Sequence, residues 1–152
     1  MTVTGRIANF GSNHLPRLSR WIGHTHVRLY RRFGGRRFTR WLGRPAFLLT
    51  VPGRKTGEPR SVMLILIRRG DDLVVCGSNG GNVATPQWYR NLMAAKRATV
   101  AVGGDSWEVT AREVEGAERE ECWELLCAGY RDFPTYQALS ERPFPIAVLE
   151  RA

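Results

Sequence analysis

Residues 50–60, Thr-Val-Pro-Gly-Arg-Lys-Thr-Gly-Glu-Pro-Arg, lie between two apolar runs at 45–51 and 61–67. Gly53, Gly57, Pro52 and Pro59 mark a tight loop. Two apolar runs joined in this way read as a hairpin, so the chain is built around antiparallel strands. Arg54, Lys55 and Thr56 sit inside the loop and Arg60 at its exit. A glycine-supported loop with exposed N–H groups and several cations suits an anion such as a phosphate or carboxylate. A polar hairpin tip is the other reading. A Walker phosphate loop is excluded, because that motif runs into a helix and here a strand follows.

The 152 residues are enough for one domain with a sizeable core. The net charge of +9 is unevenly spread. Residues 1–60 hold 13 Lys/Arg and one acid, net +12; residues 61–152 hold 10 Lys/Arg and 13 acids, net −3. A basic N-terminal third implies an anionic partner: membrane lipid, nucleic acid or a polyanionic ligand. Cys76, Cys122 and Cys127 show neither disulfide-framework nor zinc-site spacing, which fits a reducing cytoplasm. No apolar stretch approaches the roughly 20 residues of a spanning helix, and no signal-peptide pattern opens the sequence.

Residues 1–13 read as polar and loose. Residues 14–32 read as an amphipathic helix, with Leu15, Leu18, Ile22 and Leu29 near helical spacing beside Trp21 and Tyr30. Five arginines between 17 and 32 fill much of the remainder, as in a helix lying in a membrane interface or one docked with a solvated basic face. His24 and His26 are two apart and cannot easily share a metal ion on a helix. No histidine follows residue 26, which argues against a histidine-based hydrolytic triad. Residues 36–42 read as one or two further helical turns. Strands are expected at about 45–51, 60–69, 72–78, 98–103, 106–114 and 144–150, with turns at 70–72 and 103–105. Helices are expected at 86–95, with Thr85 as N-cap and Pro86 first in the helix, and at 117–129. Hairpin-linked strands with inserted helices predict a small antiparallel barrel, α+β in class. A basic arm, 1–35, would precede a barrel domain, 36–152.

Two further segments could hold a ligand. In Gly77-Ser78-Asn79-Gly80-Gly81, glycines allow close backbone approach and successive N–H groups can form an anion nest, although a simple loop is the alternative. In the helix opened by 86–92, Trp88 is either a stacking platform for a planar ring or a core residue. Tyr130, Phe133 and Tyr136, at three-residue spacing, either line a flat apolar pocket with donor hydroxyls or close a helix end.

Together these stretches resemble the deazaflavin-dependent nitroreductase family, whose members use reduced coenzyme F420. The matching residues are Leu48-Leu49-Thr50, Gly53-Arg54-Lys55-Thr56-Gly57-Glu58-Pro59-Arg60, Ser78 with Gly80-Gly81, Pro86-x-Trp88-Tyr89-x-Asn91-Leu92, Thr110-Ala111-Arg112, Tyr130 with Tyr136-Gln137, and Pro145-Ile146-x-Val148. The match covers about residues 44–150. It implies a split β-barrel like that of FMN-binding proteins, with about six mostly antiparallel strands and peripheral helices. It places Arg54, Lys55, Thr56, Gly57, Arg60 and Met63 at coenzyme-holding positions, with Ser78, Asn79, Gly80, Gly81, Trp88 and Asn91. Ile65, Tyr130, Phe133 and Tyr136 match the acceptor pocket, and Ser78, Tyr130 and Tyr136 are the candidate catalytic groups. Asn79 stands where many relatives have lysine, and Ile65 and Phe133 where prodrug-reducing members have tyrosine.

The expectation is an oxidoreductase that passes a hydride from reduced F420 to a quinone-like or nitroaromatic small molecule, with no metal. The alternatives are the same barrel using FMN, or a basic nucleic-acid-binding module. The latter is disfavoured because no helix-turn-helix or RNA-binding aromatic motif is evident. The expected location is the cytoplasm, with the basic arm on an anionic membrane surface.

Overall fold

A computed structural model describes residues 1–152, apart from the side chains of Gly11, Ser12, Asn13, Pro16 and Ser19. Its strands are β1 (Arg40–Trp41), β2 (Arg44–Pro52), β3 (Pro59–Ile65), β4 (Arg68–Arg69), β5 (Asp72–Cys76), β6 (Arg97–Val102), β7 (Asp105–Glu113) and β8 (Ile146–Arg151). Its α-helices are α1 (Val3–His14), α2 (Pro16–Arg32), α3 (Gln87–Ala95), α4 (Gly116–Gly129) and α5 (Phe133–Ala138). The strands lie in the order β1-β2-β6-β7-β8-β5-β4, with β3 also paired to β2. Every pairing among the described residues is antiparallel. The curled sheet with peripheral helices is the expected α+β split barrel.

Strand β2 shows why the sheet curls around two cores. Phe47, Leu49 and Val51 point into the barrel, against Val75, Leu92, Val100, Val109 and Leu149. Ala46 and Leu48 point the other way, against Met63 and against Val27 and Tyr30 of α2. Alternate residues of a strand face opposite sides, so a run apolar at every position needs cover on both. Along β5 and β8, Val74, Cys76, Ile146 and Val148 face a third cluster formed with α4 and α5. Burying a Val, Leu, Ile or Phe side chain contributes about 1.5–3 kcal/mol, so these clusters dominate the stability of the fold. Helix α4 is also tied to the sheet by Glu118, bonded by Arg112 at 2.7 Å and by Arg69 at 2.5 Å. Those bonds hold the Glu118 carboxyl down at about 2.

Four local expectations are corrected. Residues 1–13 are helical rather than loose: Thr2 caps α1 through a 3.0 Å bond from the Gly5 N–H, and the helix docks by contacts distant in sequence. The break between α1 and α2 is at Leu15, whose φ of −130° suits a residue preceding proline. Residues 36–42 are not helical, because Phe38 and Leu42 adopt left-handed φ of 59° and 50°, and β1 forms there instead. The 60–69 strand is two, because β3 pairs with β2 whereas β4 pairs with β5. The two-residue strands β1 and β4 raise the count from six to eight. At α3 the cap position falls on Pro86 rather than Thr85.

The arm and the barrel meet closely. Gly103 and Gly104 form the β6–β7 turn at φ of 59° and 100°, as a two-residue hairpin turn requires. A Cβ at Gly35 would lie 2.8 Å from the Gly104 nitrogen, so glycine lets the end of α2 reach this turn. The Tyr30 hydroxyl donates to the Ala101 carbonyl at 3.0 Å. The C-terminal half of α2 is thus part of the fold, whereas Leu18, Trp21 and Ile22 of its first half are exposed.

Candidate functional site

The β2–β3 loop closes on itself. The Gly53 N–H donates to the Glu58 carbonyl at 2.8 Å and the Gly57 N–H to the Gly53 carbonyl at 2.7 Å. Gly57 has a φ of +71°, which L side chains rarely adopt. Helix α3 fixes one cation of this loop. The Arg54 guanidinium donates to Asn91 Oδ1 at 3.0 Å and to Gln87 Oε1 at 2.7 Å, and the Arg54 N–H reaches the same Asn91 oxygen at 3.3 Å. Asn91 is buried and therefore acts as a fixed post. Lys55, Thr56 and Arg60 are exposed, and the Lys55 and Arg60 side chains make no ion pair or hydrogen bond among the described residues. A cavity of about 440 Å³ opens beside Arg54, lined also by Pro52, Gly53, Asn91 and Arg97.

Residues 78–81 form a backbone nest. Ser78 is right-handed helical (φ −71°, ψ −34°), and Asn79, Gly80 and Gly81 follow with φ of 51°, 64° and 86°. A right-handed residue followed by a left-handed one turns successive N–H groups to one side, which makes an anion-binding concavity. Asparagine tolerates the left-handed conformation because its short amide bonds locally; Asn79 Nδ2 donates to the Ala84 carbonyl at 3.0 Å. Ser78 is buried, with 9% exposure.

The aromatic residues come together beside the nest. Ile65 packs on the cluster containing Tyr130, Phe133 and Tyr136, with the Tyr130 and Phe133 rings edge to face at 5.2 Å. The Tyr130 and Tyr136 hydroxyls are 3.0 Å apart, and Tyr136 donates to the Gly5 carbonyl at 2.9 Å. Burial first, then the bond with Tyr136, pushes the Tyr130 phenol well above its ordinary value. Burial does the same to Tyr136. Both are therefore hydrogen-bond donors at neutral pH and not bases.

Helix α1 covers this corner. Asn9 Nδ2 donates to the Gly80 carbonyl at 2.5 Å. The Thr2 N–H donates to Asp132 Oδ1 at 2.8 Å and its hydroxyl to Oδ2. Burial alone would push the Asp132 carboxyl up, but the Thr2 bonds and the nearby amino group outweigh that and hold it below its usual range.

Two expected coenzyme positions are packed into the fold. Met63 is buried beneath α2 with Val27, Tyr30, Ala46 and Leu48. Trp88 is half-buried, edge to face with Tyr89 at 5.4 Å and packed on the barrel core. Gly5, Asn9, Asp132 and Arg142 escaped the sequence reading. Their distant partners lie 58 to 131 residues away, so no local pattern marks them.

A split antiparallel barrel with cations unpartnered among the described residues, a backbone nest and a buried aromatic cluster fits a coenzyme-binding barrel oxidoreductase. Residues 21–151 match the F420H(2)-dependent quinone reductase family, and the chain belongs to it. An F420H(2)-dependent quinone reductase of Mycobacterium tuberculosis is 32% identical over 146 residues, covering 88% of this chain and 98% of that protein. Among solved structures, an F420-H2-dependent reductase, FDR-A, is 34% identical with a TM-score of 0.66, over 70% of this chain and 95% of that one. A second structure, described as a domain-swapped dimer, is 30% identical with a TM-score of 0.69, over 87% of this chain and 98% of that one. The hydride donor that this family uses is reduced coenzyme F420.

Proposed function

We propose that this protein binds reduced F420 across the β2–β3 loop and the 78–81 nest, and reduces a quinone in the pocket of Ile65, Tyr130, Phe133 and Tyr136. One observation carries the reading: two anion-binding devices, the unpartnered Lys55 and Arg60 and the Ser78–Asn79 nest, occur on one barrel, and the first is braced by α3. The coenzyme has an anionic tail and phosphate, which these donors fit chemically. When bound, it supplies the hydride; the protein supplies position and a dry pocket.

Arg54, Lys55, Thr56, Gly57 and Arg60 hold the anionic tail, and Ser78, Asn79 and Gly80 present N–H groups, that of Gly81 being bonded to the Ser78 carbonyl. Trp88 and Asn91 build the wall between them. Tyr130 and Tyr136 orient the acceptor. A quinone gains a hydride and a proton to become a hydroquinone. Because burial opposes loss of the Tyr130 proton and that proton is given to the Tyr136 oxygen, the tyrosine pair orients the acceptor by contact and the proton arrives from solvent or Ser78. Tyr130→Phe is therefore expected to lower turnover about tenfold while leaving coenzyme affinity unchanged. Steady-state rates compared with fluorescence titration check this, and equal loss of both would assign Tyr130 to coenzyme binding.

Titration of the protein with F420 and with FMN tests the main reading. Saturable F420 binding with quinone-dependent oxidation of the reduced coenzyme supports it. Binding of FMN alone overturns it in favour of a flavin barrel.

The same reading places the protein on an anionic membrane surface. No helix among the described residues is long and apolar enough to cross a membrane. Helices α1 and α2 nevertheless expose Val3, Ile7, Phe10, Leu18, Trp21 and Ile22, with arginines around them. Apolar side chains flanked by arginine suit the lipid interface, and each Lys/Arg near an anionic leaflet adds about 1 kcal/mol. The triple variant Leu18→Ser, Trp21→Ser, Ile22→Ser is expected to lose co-sedimentation with phosphatidylserine vesicles and to keep its melting temperature. Equal sedimentation of variant and parent would end the membrane reading.

A further inference from the structure

The loop that forms the nest is gathered around a single side chain outside the expected site. Arg142 Nη2 donates to the carbonyls of Gly77 at 2.9 Å, Asn82 at 3.1 Å, Ala84 at 3.3 Å and Ser78 at 3.4 Å. Its Nε donates to the Val83 carbonyl at 2.9 Å. Five carbonyls from both arms of one loop thus converge on one guanidinium. The guanidinium also lies over the Phe144 ring at 5.2 Å, and its Nη1 is buried.

We infer that Arg142 is a positioning residue for the coenzyme, acting through the 77–84 loop; this rests on the functional reading above. The argument is geometric. Within a peptide group the carbonyl and the following N–H point in opposite directions. Carbonyls of Gly77 and Ser78 drawn to Arg142 therefore send the N–H groups of Ser78 and Asn79 away from it. Those are the two residues whose right-handed and left-handed conformations make the nest. The guanidinium places a permanent positive charge behind the donors, which favours an anion in front of them. The planar fork adds a second donor position, Nε on the Val83 carbonyl, which an ammonium lacks.

Arg142 is itself held by the acceptor side of the site. Gln137 on α5 donates to the Arg142 carbonyl at 2.8 Å and accepts from the Phe144 N–H at 2.9 Å. Gln137 follows Tyr136 directly, so the aromatic pocket and the nest share one brace. Burial pulls the Arg142 guanidinium below its ordinary value, with no carboxylate bonded to it among the described residues. Its hydrogen bonds go to carbonyls, so its charge is not neutralised by an ion pair.

The test compares Arg142→Ala, Arg142→Lys and the parent, with melting temperatures as the folding control. Coenzyme affinity is read by F420 fluorescence, and loop order by amide hydrogen exchange of the coenzyme-free protein. Arg142→Ala is expected to bind F420 roughly tenfold to a hundredfold more weakly, and to exchange faster at residues 78–84 with strand β8 unchanged. Arg142→Lys is expected to remain close to the alanine variant. Millimolar guanidinium chloride should restore affinity to Arg142→Ala, and sodium chloride at the same ionic strength should not. Parent-like affinity in either variant, or equal recovery with sodium chloride, overturns the inference. If the parent itself fails to bind F420, the functional reading fails, and faster exchange at 78–84 in Arg142→Ala still supports the brace.

Discussion

Replacing Lys55 and Arg60 together by alanine is expected to weaken F420 binding by about a hundredfold or more, at an unchanged melting temperature. A charge-assisted hydrogen bond to an anion is worth on the order of 1.5–3 kcal/mol, or roughly ten- to a hundredfold in affinity, for each contact removed. The two side chains are exposed and bond to nothing else among the described residues, so the folded protein loses nothing with them. Arg54 differs, because its guanidinium is committed to Gln87 and Asn91. Arg54→Ala should shift both affinity and stability, since it releases a buried asparagine oxygen from its partners. Fluorescence titration beside thermal denaturation separates the two cases. Parent-like affinity in the double variant would leave the β2–β3 loop as a hairpin tip.

Tyr30→Ala is the second large effect, and it falls on stability. Tyr30 is 2% exposed, packs with Val27, Ala46, Leu48 and Met63, and donates to the Ala101 carbonyl. Truncating a buried aromatic residue costs about 3–5 kcal/mol. For a domain of this length, that lowers the melting temperature on the order of 10 °C. Chemical denaturation would show the loss as a lower midpoint at similar slope. A change of less than about 1 kcal/mol would mean that α2 is an independent arm, as residues 1–35 read in sequence. The same contacts make deletion of residues 1–32 a poor membrane control. It would bare Ala46, Leu48 and Met63, whereas substitutions in the exposed first half of α2 leave that cluster covered.

Much of the barrel was legible because its signals are local. The apolar run of β2, the glycine pair at 103–104 and the breaks around 53–60 each act within a few residues. Strand positions were therefore right to within a few residues, and the α+β class followed. The errors fall where a distant contact decides. Residues 1–13 carry no strong periodicity, yet Thr2 and Asn9 find Asp132 and Gly80 and the segment becomes helix. Phe38 takes a left-handed φ where helical turns were expected, and its carbonyl meets the His26 ring at 2.6 Å.

The candidate site divides in the same way. A loop rich in glycine and cations announces an anion site by composition, since N–H donors and charges need no partner to be useful. The sequence by itself therefore determined the antiparallel barrel, the two glycine-rich loops and the family resemblance. Only the tertiary structure decided how those loops are held: Asn91 under Arg54, Gly5 over Tyr136, and Arg142 behind Ser78 and Asn79. It also divided α2 into a docked half and an exposed half. The physical reason is that positioning depends on contacts between segments far apart in the chain. Composition specifies a donor, but the direction in which it points is set by what packs against it.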